Sequence, residues 1–331
     1  GGAFFGLLGD LIGRVKTFTY TIFIFAFATA AMFFAHSLSA IYVLRFLAGI
    51  GAGGEYGVGM ALIAENFAAN RIGRLTSVAA IGGQIGAIFA ALAAAVIIPH
   101  FGWNALFLLG IIPVVLTYFI RQHVSESAEF ITAHAQAQAK HEKIAVSRLF
   151  ATPRLAVQTL GLMVMAIVQI AGYFGLMNWL PSIAQKQQGL SVSGSSLWMI
   201  ATIIGMSLGM VVFGTIMDQK GPRWAFGIFL PGSALVMFAI LMAHTSLQLI
   251  LAGALIGFFS NGMFGGYGAV ISRLYPTEIR STANSMIMNT GRAIGGFSSV
   301  VIGFLMDHAT LLTTMGCLAA LYLLSFAIML S

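Results

Sequence analysis

The sequence predicts an all-α integral membrane protein, on the evidence of its composition, its long apolar runs and an internal repeat. Of the 331 residues, 59% are hydrophobic and only 8% are charged, whereas a soluble domain carries about 25% charged residues. So few charges cannot cover a water-facing surface, which excludes a soluble enzyme. The same figures exclude a disordered chain, because such a chain would be polar and highly charged. The single cysteine, Cys317, excludes a disulfide framework and a cysteine zinc site.

Ten apolar runs are long enough to cross a bilayer as helices, which takes roughly 20 residues each. They are apolar on all sides, whereas the strands of a membrane barrel alternate. The runs lie at residues 17–35, 40–64, 75–98, 103–120, 155–180, 194–217, 224–243, 247–271, 283–306 and 309–330, and residues 1–8 have the composition of the tail of another span. Of the 16 Lys and Arg residues, 13 fall in loops on one side and only Lys186 on the other. This bias predicts that the basic side is cytoplasmic.

The two halves of the chain repeat each other at an offset of 208 residues. The pattern Gly6-x3-Asp10-x2-Gly13-Arg14 returns as Gly214-x3-Asp218-x2-Gly221-x-Arg223, and Gly57 is matched by Gly265. The second half begins about 60 residues before Gly214, so we expect a twelve-span parent whose first span and most of whose second precede residue 1. The predicted organisation is an N-terminal bundle at 1–120, an inter-domain loop at 121–154 and a C-terminal bundle at 155–331.

These motifs resemble those of the major facilitator superfamily of secondary transporters. The repeated Gly-x3-Asp loop is similar to that superfamily's signature between the second and third helices of each half. The segment from Arg45 to Gly57, which contains Glu55 and Tyr56, resembles the fourth helix of the metabolite:proton symporter, sialic-acid and organic-acid branches. Residues 275–280 (YPTEIR) and 124–127 (VSES) are similar to loops after the tenth and sixth helices. The resemblance implies two pseudo-symmetric six-helix bundles that work by alternating access.

Charged residues at the cytoplasmic helix ends are candidates for a gate whose ion pairs form when the cavity faces outward. The alternative is a set of surface ion pairs, each worth about 0–1 kcal/mol. The occurrence of the Asp–Gly–Arg loop in both halves favours the gate. The candidate gate residues are Asp10, Gly13, Arg14, Glu65, Arg74, Asp218, Gly221, Arg223, Glu278 and Arg280.

Three polar residues, Glu55, Gln84 and Arg292, are predicted to lie at one depth near the middle of the membrane. At 1.5 Å per residue, Glu55 lies roughly 22 Å along its helix, and Gln84 and Arg292 lie about 15 Å along theirs. The Arg292 guanidinium matches the geometry of a substrate carboxylate, although a structural ion pair is the alternative. A carboxyl group taken out of water holds its proton more readily, so Glu55 is a candidate for proton coupling or, alternatively, for helix packing.

Other polar residues in the spans are weaker candidates. Arg45 lies about five residues from the outer surface, close enough for its side chain to snorkel. The resemblance links its motif to proton transfer, so a coupling role is the alternative. Residues 121–154 are predicted to be a flexible tether with a surface helix around 128–144, a binding role being the alternative. Further candidates to line the substrate site are Tyr56, Tyr173, Asn178, Trp179, Asn261, Tyr267 and Asn289.

The predicted function is secondary active transport, as proton-coupled uptake of a small organic anion such as a monocarboxylate, an aromatic acid or a sugar acid. We expect no enzymatic activity, no cofactor, no metal and no nucleic acid. The expected partners are the lipid bilayer, a small-molecule substrate and protons, and the expected location is the cytoplasmic (inner) cell membrane, as a monomer. The alternatives are a transporter of neutral sugars, a drug exporter and, remotely, a non-transporting membrane receptor.

Overall fold

The computed structural model describes residues 1–139, 146–188 and 192–330. All regular secondary structure in these ranges is helical, as predicted. The α-helices are α1 (Gly2–Ile12), α2 (Arg14–Ala31), α3 (Leu38–Asn66), α4 (Ile72–Phe101), α5 (Trp103–Leu106), α6 (Ile112–His123), α7 (Ala128–Ala139), α8 (Pro153–Gln188), α9 (Val192–Lys220), α10 (Pro222–Val236), α11 (Ser246–Ile256), α12 (Gly266–Leu274), α13 (Arg280–Gly295), α14 (Ser298–His308) and α15 (Leu311–Leu330).

By length and composition, seven helical segments of the described ranges are able to cross a membrane. They begin at Arg14, Leu38, Ile72, Pro153, Leu197, Ser246 and Leu311. The other three predicted spans are helical but interrupted. The run 103–120 contains the 3-10 segment Phe107–Ile111, the run 224–243 leaves the α-helix after Val236, and the run 283–306 breaks between Gly295 and Ser298. Hydrophobicity predicts the spans, but it does not predict these breaks.

Local sequence explains where several helices begin. Gly13 separates α1 from α2 with φ of 113°, and Gly221 separates α9 from α10 with φ of 93°. This left-handed backbone favours glycine because it has no Cβ. Pro222 follows as the first residue of α10, where its missing N–H is no loss. Thr245 and Gln248 form a reciprocal capping box at the start of α11.

The helices form two compact units. Unit 1 consists of Gly1–Phe67, Gly82–Ala156 and Ile271–Asn289, and unit 2 consists of Ala68–Ile81, Val157–Val270 and Thr290–Ser331. Within unit 1, α2 and α1 pack against α3; within unit 2, α9 packs against α10 and α11, and α10 packs against α15. Each unit therefore includes one segment, 271–289 or 68–81, from the half of the sequence that supplies most of the other unit.

Candidate gate and substrate site

Asp10, near the end of α1, caps the beginning of α13. Its carboxylate accepts hydrogen bonds from the backbone N–H groups of Ser281 (3.2 Å) and Thr282 (2.7 Å) and from the Thr282 hydroxyl (2.6 Å). The first turn of a helix has unpaired N–H groups and a partial positive charge. A fully buried carboxylate at this position satisfies the N–H groups and stabilises that charge.

Asp218, near the end of α9, makes the equivalent contact with α4. Its carboxylate accepts hydrogen bonds from the N–H groups of Gly73 (2.8 Å) and Arg74 (2.9 Å). Asp218 lies 208 residues after Asp10, and residues 73 and 74 lie 208 residues before 281 and 282. The internal repeat is therefore also a repeat of contacts, in which the aspartate of each sequence half caps a helix of the other half.

The glycine that opens each motif allows the helices to approach closely. A Cβ built on Gly6 would lie 2.5 Å from the Ser285 Cβ. A Cβ built on Gly214 would lie 2.5 Å from the Gly73 carbonyl oxygen and 2.7 Å from the Ser77 hydroxyl. Ser77 and Ser285 are again 208 residues apart. A larger residue at either position would push the capped helix away from its aspartate.

Arg14 is a fully buried arginine with two carboxylate partners. Its Nη2 lies 3.0 Å from Asp10 and 2.9 Å from Glu65, and its Nε donates to Glu65 at 3.1 Å. Arg14 also donates to the carbonyl oxygens of Gly9 (2.8 Å) and Thr277 (2.6 Å). Removal of one partner of a buried ion pair destabilises a protein, because the charge that remains is buried without a counter-charge. Arg14 therefore stabilises the buried charges of Asp10 and Glu65, and these two carboxylates stabilise the buried charge of Arg14.

The segment between the predicted bundles is attached to Arg14. The Glu126 carboxylate accepts hydrogen bonds from the N–H groups of Arg14 and Val15, both at 2.8 Å, and so caps α2. The Phe130 ring centre lies 4.2 Å from the Arg14 guanidinium. The expectation of a flexible tether is wrong for this part of the loop. The predicted surface helix is confirmed as α7 up to Ala139, and residues 140–145 lie outside the described ranges.

Two further carboxylates connect this segment to residues 277–280. Ser127 donates a hydrogen bond to Glu65 at 3.0 Å. Glu129 accepts a hydrogen bond from the Thr277 hydroxyl at 2.5 Å and lies 3.1 Å from Arg280, which also lies 3.6 Å from Glu65. We define the Asp10 cluster by the following residues, all in unit 1: Asp10, Arg14, Glu65, Glu126, Ser127, Glu129, Thr277, Arg280, Ser281 and Thr282.

The remaining predicted gate residues lie beside these contacts. Gly13 and Gly221 supply the positive φ angles that end α1 and α9, and a Cβ on Gly13 would collide with the Glu126 carboxylate. The side chains of Arg74 and Arg223 are exposed, and Glu278 is half-buried. The hydrogen bond from Arg74 to Asp218 described above comes from the backbone N–H of Arg74.

Four of the predicted substrate-site residues lie in unit 1. Glu55, Tyr56 and Gln84 are half-buried. The amide of Asn289 donates to the carbonyl oxygens of Gly53 and Ser285, both at 2.8 Å. Asn289 therefore joins α13 to α3, one turn of α13 beyond Ser285.

Arg292 and the other predicted substrate-site residues belong to unit 2. Arg292 is half-buried near the end of α13. The rings of Tyr173 and Phe264 are stacked, with centres 6.1 Å apart and an interplanar angle of 25°. The Trp179 indole donates to the Ser299 carbonyl oxygen at 2.7 Å. The Asn178 side chain lies outside the described part of the chain. Convergence of Arg292 with Glu55 and Gln84 stays a prediction.

Comparison with known proteins shows the family. The family model described as Major Facilitator Superfamily matches residues 1–299 and, in a second match, 191–331. The chain belongs to the Major Facilitator Superfamily. It is 38% identical over 328 residues to a putative metabolite transport protein of Haemophilus influenzae, covering 98% of this chain and 81% of that protein. It is 33% identical over 344 residues to a probable 4-methylmuconolactone transporter of Cupriavidus pinatubonensis, covering 100% and 78%.

The fold of solved superfamily members agrees with this assignment. The chain is similar to the proton:xylose symporter XylE, with a TM-score of 0.79 and 18% sequence identity, over 100% of this chain and 82% of that one. The predictions of an all-α membrane protein, of the superfamily and of a transporter rather than an enzyme are confirmed by these comparisons. Arg45, in the helix that carries the resemblance, is exposed, and its guanidinium lies 5.2 Å from the Phe107 ring centre.

This superfamily member also has buried polar groups in unit 2 that sequence analysis did not select. Gln169 donates to the Ser260 carbonyl oxygen at 2.8 Å. Ser260 lies in the π-helical segment Gly257–Asn261, and π-helical turns occur frequently at functional sites. Asn261, which was predicted, is fully buried, and its amide has no hydrogen-bond partner among the described residues. A polar residue in an apolar run, such as Gln169, is the signal that would have found this group.

Proposed function

We propose that the chain is a proton-coupled secondary transporter that takes up a small organic anion by alternating access. The observation that carries this proposal is Arg292, which is half-buried near the end of α13 within the predicted span 283–306 of a membrane transporter. An arginine inside a span costs several kcal/mol unless it is paired or faces a watery cavity. Its planar, permanently charged group binds a carboxylate through two hydrogen bonds, which suits recognition of an anionic substrate.

The names of relatives support an organic acid as the substrate, and the aromatic residues of unit 2 support one with a flat body. Beside the 4-methylmuconolactone transporter, relatives are named as transporters of niacin and of sialic acid. The stacked pair of Tyr173 and Phe264 provides an aromatic surface in the same unit as Arg292. Aromatic rings stack favourably on one another in offset arrangements. We infer that the carboxylate binds Arg292 and that the body of the substrate packs against aromatic side chains.

The Asp10 cluster and the contacts of Asp218 support a gate on the cytoplasmic side. We propose that bundles 1–120 and 155–331 tilt against each other, and that the capped starts of α4 and α13 separate from Asp218 and Asp10 when the cavity opens inward. The bias of Lys and Arg supports a cytoplasmic position for these loops. We further propose that the protein acts as a monomer in the inner membrane.

The test of the substrate proposal is transport by purified protein in proteoliposomes. Arg292→Ala should abolish counterflow of organic acids, and Arg292→Lys, which keeps the charge but loses the fork, should retain a small part of it. Arg154→Ala, which removes an exposed arginine from the first turn of α8, should leave counterflow unchanged. Undiminished counterflow by Arg292→Ala would refute the anchor role.

A substrate panel separates this proposal from its alternatives. Counterflow with acids but not with neutral sugars or cationic drugs is the expected result. A preference for sugars or drugs would favour those alternatives, and binding of an acid without accumulation would favour the receptor.

Proton coupling is tested separately at Glu55. Glu55→Gln should retain counterflow, which needs no net proton movement, and should lose accumulation driven by a pH gradient. If the variant still accumulates substrate in response to a pH gradient, then another group carries the coupling proton, and Arg45 becomes the next residue to replace.

A further inference from the structure

Four basic side chains and a tryptophan are exposed at one end of unit 2. We define the basic face by Arg71, Arg74, Lys220, Arg223 and Trp224. All four basic side chains are exposed, and Trp224 is 61% exposed. The basic face combines two segments, the start of α4 and the junction of α9 with α10. The hydrogen bonds from the N–H groups of Gly73 and Arg74 to Asp218 hold these segments together.

The arginines near the matching contacts of unit 1 pair with carboxylates of the protein. Arg14 is fully buried between Asp10 and Glu65, and Arg280 lies near Glu65 and Glu129. These cations are neutralised by carboxylates within the protein. The basic face has four exposed cations beside the carboxylate of Asp218, which accepts hydrogen bonds from two backbone N–H groups. This excess of positive charge favours an anionic ligand from outside the protein.

The helices below the basic face have apolar surfaces directed away from the protein. On α9, Leu208 is 58% exposed, and on α10, Ile228 and Leu235 are 44% and 74% exposed. These helices pack side by side in unit 2, and α9 is one of the helices able to cross a membrane. Their exposed faces are therefore available to acyl chains.

Trp224 stands at the boundary between the cations and this apolar surface. Its ring centre lies 5.8 Å from the Lys220 ammonium nitrogen, within the range of a cation–π contact. Tryptophan is enriched at the level of lipid headgroups, where one end of the ring is apolar and the other is wet. Cations, tryptophan and aliphatic side chains follow one another along this surface. This order matches that of a phospholipid, from its charged headgroup to its acyl chains.

We propose that the basic face binds the phosphate headgroup of an anionic phospholipid, whose acyl chains lie along α9 and α10. Basic pockets between membrane helices bind anionic headgroups in this way. Because the lipid contacts side chains on both sides of Asp218, it holds the start of α4 close to the end of α9. Binding of the lipid does not depend on which substrate is transported.

The test uses the fluorescence of Trp224 in vesicles of stated composition. Protein is reconstituted in phosphatidylcholine vesicles that contain an equal share of either brominated phosphatidylglycerol or brominated phosphatidylcholine. Bromine quenches tryptophan at short range, and the Trp224→Phe variant gives the signal of the other three tryptophans for subtraction. We expect several-fold stronger quenching of Trp224 by the brominated phosphatidylglycerol, and we expect added salt to reduce the difference.

Charge variants show whether the basic face causes the preference. Each cation near an anionic surface strengthens association by roughly fivefold. Loss of two cations in the double variant Lys220→Gln/Arg223→Gln weakens association by roughly 25-fold on this scale, so the several-fold preference in quenching should disappear. Its matched control, Lys16→Gln/Arg154→Gln, removes two exposed cations of unit 1 and should keep the preference. Circular dichroism checks that the variants fold. If the double variant does not fold, the single variant Lys220→Gln takes its place.

Three results would overturn the proposal. Equal quenching by the two brominated lipids would show that Trp224 contacts bulk lipid only. Equal loss of preference in the control variant would assign the effect to net charge. Removal of the preference by inorganic phosphate at constant ionic strength would identify a site for a soluble anion instead of a lipid.

Discussion

Replacement of Asp10 by asparagine should loosen the first turn of α13. The carboxylate of Asp10 accepts three hydrogen bonds from Ser281 and Thr282 and pairs with Arg14 at 3.0 Å. The asparagine amide keeps one oxygen acceptor, but its NH2 group cannot accept from a backbone N–H. The substitution also removes the negative charge at the N-terminus of α13 and beside a buried arginine.

The size of the effect follows from these contacts. Loss of a helix cap costs about 1 kcal/mol, and loss of a hydrogen bond to a charged group costs about 1.5–3 kcal/mol. Arg14 retains Glu65 as a partner, so the second cost should be near its lower end. The total of about 2–3 kcal/mol corresponds to a roughly 30- to 150-fold increase in opening of this turn, since 1.4 kcal/mol is a factor of ten.

Hydrogen exchange of backbone amides measures this opening directly, because protected amides exchange through local unfolding. The amides of Ser281 and Thr282 should exchange faster in Asp10→Asn by this factor. Asp218→Asn should do the same for the amides of Gly73 and Arg74. Asp307→Asn, which changes an exposed aspartate on α14, is the matched control and should change neither pair.

Unchanged exchange at Ser281 and Thr282 in Asp10→Asn would refute the reasoning, because it would mean that the cap does not hold the turn. An equal increase in the Asp307→Asn control would be equally damaging. In that case the amides would respond to a general loss of stability and not to the loss of their acceptor.

Two other substitutions test the remaining contacts of the proposed gate. Glu126→Gln should destabilise the protein by about 1 kcal/mol through loss of the charged cap of α2, seen as a lower melting temperature, whereas Gln122→Glu on the exposed end of α6 should not. Gly214→Ala should abolish most transport in proteoliposomes, because its Cβ would lie 2.5 Å from the Gly73 carbonyl oxygen. Gly227→Ala, where a Cβ meets nothing within 4 Å, should transport normally. Equal activity of the two variants would contradict the close approach at Gly214.

The membrane spans were predictable because a run of about 20 apolar residues is enough to identify a segment that can cross the membrane. The breaks within them were not, because they depend on which backbone groups find partners. The run 283–306 was predicted as one continuous span, yet its helix is divided near Gly295 and Gly296. Paired glycines weaken a helix, but many other glycines of this chain lie in continuous helices, so the composition does not say which pair gives way.

The repeat alone singles out Asp10 and Asp218 as candidate gate residues, but it does not identify the groups that they bind. Asp10 and Asp218 stand out as charged residues in matched motifs, whereas the groups they bind are backbone N–H groups, which have no signature in a sequence. Glu126 and Glu129 were missed for a different reason. They lie in a polar segment that has the composition of a tether, and only the folded chain shows that this segment contacts Arg14 and Arg280.

The repeat also indicates where recognition of the substrate should be sought. The caps of α4 and α13 are duplicated, as expected for contacts that serve a motion common to both halves. In the first half, the Gly53 carbonyl accepts the Asn289 amide, but the residues 208 positions away are Asn261 and Ile81, so this polar contact has no copy. Glu55 is likewise matched by Met263, and Gln84 by Arg292. If the proposed substrate binds through one carboxylate to one half of the repeat, then its site must be built from positions at which the halves differ. Arg292 and Asn261 are such positions, whereas Asp10 and Asp218 are not.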